Sequence, residues 1–176
     1  ASEKGISVDV EGFEAAMDEQ RRRGKEGSVF GAVMTATGDS LMRTIENMCQ
    51  PTEFVGYETL DHTDVVWAII QDGEMVSEAE EGDRVEIVLQ EKTPFYAESG
   101  GQVGDTGVLK SSSGVVDIIG TRKDSGFYFH EGVVITGCIS QGDEVQCVVD
   151  KKRRMAIARN HTATHLLHAA LHDVLG

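Results

Sequence analysis

The stretch from Pro51 to Asp150 limits the fold most sharply, because its short β-rich runs are divided by turn-forming pairs. Branched and aromatic side chains gather at 53–57, 65–71, 84–90, 107–109, 115–121, 126–134 and 144–149. Between them lie Asp72-Gly73, Gly82-Asp83, Ser125-Gly126 and Gly142-Asp143, the chemistry of tight turns. Short strands at this spacing predict an antiparallel barrel or sandwich. The run Gly82-Asp83-Arg84-Val85-Glu86-Ile87-Val88 echoes Gly142-Asp143-Glu144-Val145-Gln146-Cys147-Val148. A turn that twice feeds a half-buried strand accounts for this echo without a duplication.

Helical patterns flank this region. Val10, Phe13 and Met17 form one apolar stripe over 9–23, with Asp9 as a cap and Gly24 as a stop. Asp18 with Arg22 and Glu19 with Arg23 make favourable pairs one turn apart. A shorter helix is expected over 40–48, with Leu41, Ile45 and Met48 facing inward. A long helix is expected over 151–175, basic at its start and then apolar through Ala163, Leu166, Leu167, Ala170, Leu171 and Val174. Asn160 or Thr162 would cap a second segment if that helix broke before its histidines.

Charge narrows the function. Sixteen Lys and Arg against thirty Asp and Glu give a net charge of −14, which argues against a surface wrapped broadly in nucleic acid. Two local basic patches remain, Arg21-Arg22-Arg23 with Lys25, and Lys151-Lys152-Arg153-Arg154 with Arg159. The second is either a solvated helix start or a phosphate contact. Residues 71–91 hold eight acids and one Arg, read as a solvated hairpin or edge strand protected by charge rather than as a cation site. Three cysteines without paired spacing suggest buried thiols in a reducing compartment. No apolar run approaches the ~18 residues of a membrane span. Both ends look cut, with no initiator Met and a stop at Gly176 straight after a strong helical pattern.

Two motifs carry the chemistry. His161, His165, His168 and His172 fall within about 60° of one another on a helix. The first two, four apart, can offer imidazole nitrogens to one zinc ion, or can simply be polar groups on a surface helix. Position 162 is Thr, so the metalloprotease HExxH mechanism is not supported. The hydroxyls of Thr162 and Thr164 either orient a bound water or cap the helix, and capping is the simpler role. The second motif is Thr93-Pro94-Phe95-Tyr96-Ala97-Glu98-Ser99-Gly100-Gly101-Gln102-Val103-Gly104-Asp105-Thr106-Gly107. Its glycines permit positive φ and close backbone approach. Phe95 and Tyr96 are candidates to stack on a base, Gln102 to hydrogen-bond, and Glu98 to act as a base or to support a ligating histidine. It is neither a dinucleotide fingerprint nor a P-loop, and a plain tight turn explains it as well.

Taken together, the segment from Phe95 to Asp105 and the segment Arg159-Asn160-His161-Thr162-Ala163-Thr164-His165-Leu166-Leu167-His168 resemble the alanyl-tRNA synthetase family. Val8-Asp9-Val10-Glu11-Gly12-Phe13-Glu14-Ala15-Ala16-Met17 and Phe54-Val55-Gly56-Tyr57 fit the same family in the same order. The resemblance implies an α+β chain in three parts. Residues 1–50 would end a helical tRNA-recognition region, 51–150 would form a β-barrel like those of translation proteins, and 151–176 would open an editing domain. It implies tRNA(Ala) as partner, a cytoplasmic or organellar enzyme, and an ATP- and Mg2+-dependent catalytic domain upstream of this segment. The editing domain of such enzymes hydrolyses tRNA mischarged with serine or glycine. His161 and His165 match the first half of its zinc site, whose later Cys and His ligands would follow Gly176. Glu98, Ser99, Gly100, Gly101, Gln102, Thr162 and Thr164 become the candidates to meet the substrate. The competing readings are a free-standing trans-editing aminoacyl-tRNA hydrolase and a non-catalytic RNA-binding module. The missing second zinc pair and the N-terminal match count against the former, and the acidic balance against the latter.

Overall fold

A computed structural model describes Gly12, Met17 and residues 38–99 and 101–175 of the chain. The chain divides into two compact units, Ala1–Ser40 and Leu41–Gly176. The helix expected over 9–23 lies outside the described residues, apart from Gly12 and Met17, which are both helical.

The described elements run α1 (Gly38–Met48), β1 (Glu53–Phe54), β2 (Asp61–Gln71), β3 (Glu74–Val76), β4 (Glu78–Glu80), β5 (Arg84–Leu89), β6 (Lys92–Thr93), β7 (Gly107–Lys110), β8 (Gly114–Asp124), β9 (Phe127–Ser140), β10 (Glu144–Val149) and α2 (Lys151–Leu175). Six strands close into an antiparallel barrel in the order β10, β7, β8, β9, β5, β2, with β2 pairing back onto β10. Of the barrel and sandwich that the turn spacing allows, the barrel forms, and the mixed α+β class matches what the resemblance implies. Closure also removes the open edges that a flat sheet of these strands would present.

The barrel interior follows from the period of two along a strand. Val85, Ile87 and Leu89 of β5 point into one cluster with Phe95, Leu109, Val116, Ile118, Val145 and Cys147, all buried. Val88 points the other way, joining Ala68, Ile70, Phe127 and Phe129 beneath α1. Three register shifts adjust this alternation, at Val66/Ala68, Val115/Val116 and Ile118/Gly120. The first explains why Val66 and Ile69 share the interior although they are an odd number of residues apart. The turns behave as their residues require. Asp72 and Gly73 both take positive φ (52° and 83°) in the β2–β3 hairpin. Gly82 and Gly142 also take positive φ. Asp83 and Asp143 then accept backbone N–H bonds from Glu80 and Ser140, each at 2.9 Å, so the sequence echo is one turn device used twice.

Three expectations are corrected. Met48 is 69% exposed, and α1 instead sets Leu41, Met42 and Ile45 against the barrel, with Cys49 just beyond its end. The acidic stretch 71–91 is not wholly solvated. It holds the short strands β3 and β4, and Glu86 is buried in an ion pair with Arg122 (Nε to Oε1 2.9 Å, Nη2 to Oε2 3.1 Å). Of the three free thiols only Cys147 is fully buried, where loss of solvation raises its pKa strongly. Among the described residues no helix is long and apolar enough to cross a membrane.

Candidate functional site

The glycine-rich loop leaves β6, turns, and returns into β7. Its neck is closed by residues 96 and 105: the Asp105 N–H donates to the Tyr96 carbonyl at 2.9 Å, and the Tyr96 N–H donates to Asp105 Oδ2 at 2.8 Å. The Thr121 hydroxyl donates to the Asp105 carbonyl at 3.1 Å, and the Glu98 N–H donates to the Thr121 carbonyl at 2.8 Å. These bonds hold the loop flat against β8. Gly104 is required by that approach, since a Cβ there would sit 2.4 Å from the Thr121 carbonyl oxygen. At the tip, Ser99 and Gln102 exchange two backbone hydrogen bonds, and Gly101 takes φ 83°.

α2 begins at Asp150, whose carboxylate caps the helix by accepting the Arg153 N–H at 3.0 Å. The Asp150 N–H in turn donates to the Thr106 carbonyl at 2.8 Å, so the end of the loop and the start of the helix are tied together. The helix then runs unbroken through the histidines. Neither Asn160 nor Thr162 is therefore a cap. The Thr162 and Thr164 hydroxyls donate back to the carbonyls of Ala158 (3.0 Å) and Asn160 (2.9 Å), four residues earlier. Their protons are spent, and only lone pairs remain to face a ligand.

His161 and His165 converge. Their Nε2 atoms lie 2.9 Å apart, with ring centroids at 4.7 Å, and both side chains are exposed to solvent. A cleft of about 440 Å³ lies between this pair and the loop, lined by Gly101, Gln102, Val103, Ile157, Asn160, His161, Thr164 and His165. Thus Gly101 and Gln102 meet Thr164 and the two histidines in one place. Glu98, Ser99 and Thr162 are exposed and lie off the lining, and Gly100 falls outside the described residues. The Glu98 carboxylate lies within electrostatic reach of Glu131. With burial and Glu86, it helps raise the pKa of Glu131, while Arg122 opposes the shift. His168 and His172 are exposed further along the helix.

Three residues are given other work than expected. Phe95 is fully buried, its ring edge-on to His130 at 5.2 Å, so it has no face to offer a base. Tyr96 packs edge-on to Phe54 at 5.8 Å. Arg154, read with the solvated or phosphate-facing basic run, instead turns inward onto the neck of the loop. Its guanidinium forks onto Asp105 (Nε to Oδ1 2.9 Å and to Oδ2 2.8 Å) and donates to the carbonyls of Gly56 and Pro94, both at 2.9 Å. Asp105 is only 2% exposed. The sequence signal for this pair is faint: an Asp inside the glycine-rich loop, and an Arg two turns before the first histidine.

The barrel, the glycine-rich loop and the histidine-bearing helix all fall within a chain that belongs to the family of class II (A) tRNA synthetases, whose model matches residues 1–153. Among its relatives, over 97% of the chain it is 48% identical to the alanine–tRNA ligase of Synechococcus elongatus. Over its whole length it is 44% identical to the alanine–tRNA ligases of Bacillus velezensis and Acetivibrio thermocellus. The chain spans about a fifth of the length of these curated relatives (19% and 20%). The family model stops within the first turn of α2, whereas the matches to the alanine enzymes cover the histidines as well.

The histidine pair fits the zinc ion that the resemblance implies. Tetrahedral zinc holds its nitrogens at about 2.0–2.1 Å, which sets neighbouring donors about 3.3 Å apart. The observed separation, 2.9 Å, is close to that value. Among the described residues no third His, Cys, Asp or Glu joins the pair.

Proposed function

We propose that this chain is the part of an alanine–tRNA ligase that links tRNA recognition to proofreading, with 151–176 opening an editing domain that hydrolyses seryl- and glycyl-tRNA(Ala). The observation that carries this reading is the cleft in which the histidine pair faces Gly101 and Gln102 of the loop. His161 and His165 would hold zinc, which when bound supplies a Lewis acid for an ester carbonyl or a bound water. The remaining zinc donors would come from later residues of the same polypeptide. ATP and Mg2+ would belong to the catalytic domain upstream of this segment.

The chain's own residues supply positioning. Gln102 carries an amide that can donate to a carbonyl or accept from a hydroxyl of an aminoacyl ester. Thr164, its proton already donated to Asn160, offers acceptor lone pairs to an amino or hydroxyl group. Lys151, Lys152, Arg153 and Arg159 are exposed at the start of α2 and form a local cationic surface for tRNA phosphates. The match of residues 1–153 to a synthetase family supports this reading over a free-standing hydrolase.

Zinc titration of the 176-residue chain tests the reading. One weakly held ion is expected, lost in His161→Ala and in His165→Ala. Binding that survives both substitutions would overturn the assignment. With half the ligand set, the chain is also expected to hydrolyse seryl-tRNA far more slowly than an intact alanine–tRNA ligase, and equal rates would contradict the proposal.

A further inference from the structure

We propose that Arg154 and Asp105 are positioning residues: their buried fork sets the rotation of α2 so that His161 and His165 face the glycine-rich loop. This rests on the reading of the cleft as the editing pocket, but the geometric claim is separable from it.

Three observations meet here. First, Asp105 closes the neck of the loop, since it bonds Tyr96 through its backbone N–H and again through its carboxylate. Second, Arg154 lies in the first turn of α2 and meets that same carboxylate with two of its guanidinium nitrogens, Nε and Nη2. It also donates to the Gly56 and Pro94 carbonyls, so the guanidinium is held from three directions. Third, Arg154, His161 and His165 are spaced seven and eleven residues along one helix. At 100° per residue the histidines lie within about 20° of the arginine's direction. Turning Arg154 onto Asp105 at the loop's neck therefore turns both imidazoles toward the loop.

Few other contacts share this task. From Ala158 to Leu175 every helix residue is exposed, so packing does not set the rotation beyond the second turn. Ile157 and Ala156 are half-buried, and the Asp150 cap fixes where the helix starts but leaves its twist to side chains. An arginine suits the role because its planar fork fixes direction as well as distance, which a lysine does not.

The test reads geometry directly. In the 176-residue chain with Cys49→Ser and Cys138→Ser, the pair Val103→Cys and Asn160→Cys places one thiol on each side of the cleft. A short bismaleimide then reports how often the two sides meet. Arg154→Met and Asp105→Asn are each expected to slow cross-linking at least tenfold, and Arg154→Lys to slow it less. Zinc binding should be kept in all three, because both imidazoles sit on one helical turn. His161→Ala should do the reverse, losing zinc while cross-linking at the parent rate. Near-UV circular dichroism checks that the barrel stays folded. If Arg154→Met unfolds it, Arg154→Lys carries the comparison, with an expected slowing of about threefold or more. Cross-linking at the parent rate in a folded Arg154 variant would overturn the proposal.

Discussion

The barrel and the helix that leaves it are built on opposite terms. In the barrel, six strands close on themselves and nearly every inward side chain is fully buried. In α2 no residue is fully buried, and Leu166, Leu167, Leu171 and Val174 stand 48–81% exposed. The barrel derives its rigidity from packing spread over many residues. The helix derives its direction from a few polar bonds at its base, chiefly the Asp105–Arg154 fork and the Asp150 cap. The difference teaches where a site can be tuned. A pocket between two such parts takes one wall from a loop tied to the barrel and one adjustable wall from the helix.

Substitutions should report this contrast in order of size. Phe129→Ala removes a fully buried ring from beneath α1, and also the surface over which the Arg122 guanidinium lies at 4.0 Å. It should cost about 4 kcal/mol in denaturant unfolding. Next is acidification. His130 is fully buried between the Thr93 hydroxyl (2.7 Å) and the Ile87 carbonyl (2.8 Å), and burial lowers its pKa to about 4. An unfolded histidine takes its proton near 6.5, so between those values the unfolded chain binds more protons. Stability should fall as pH drops through that window, by up to roughly 3 kcal/mol. The slope should flatten in His130→Leu whatever the stability level, and an unchanged slope would assign the acid sensitivity elsewhere. Smallest is Leu167→Ala on the exposed helix, expected within about 0.5 kcal/mol of the parent. A loss above 2 kcal/mol there would mean that α2 is packed after all, and the contrast would fail.

Legibility in the sequence divides along local and long-range lines. The principal strands could be read from their own alternation, and β5, β9 and β10 are also announced by turn pairs, as in Gly82-Asp83 before β5. The stretch holding β3 and β4 was legible only as a charged hairpin or edge strand, because strands of three residues take their bounds from the partner they pair with. Met48 was misplaced since a stripe at spacings of four and three extends it inward, while the chain turns toward Pro51 one residue later. The histidine spacing was legible because one helical turn is local physics. The apposition of the loop was not, because its cause is a carboxylate 49 residues before its arginine. The same long reach hid the true role of Arg154 within a basic run.

The most direct test of the site follows individual resonances of the 176-residue chain by nuclear magnetic resonance as zinc is added. The two imidazoles and the loop should respond together: His161, His165 and the backbone amides of Gln102 and Val103 shift, while His168, His172 and the barrel core stay still. Shifts at His168 and His172, or a response of the first pair that leaves the loop unmoved, would contradict a single pocket made by helix and loop.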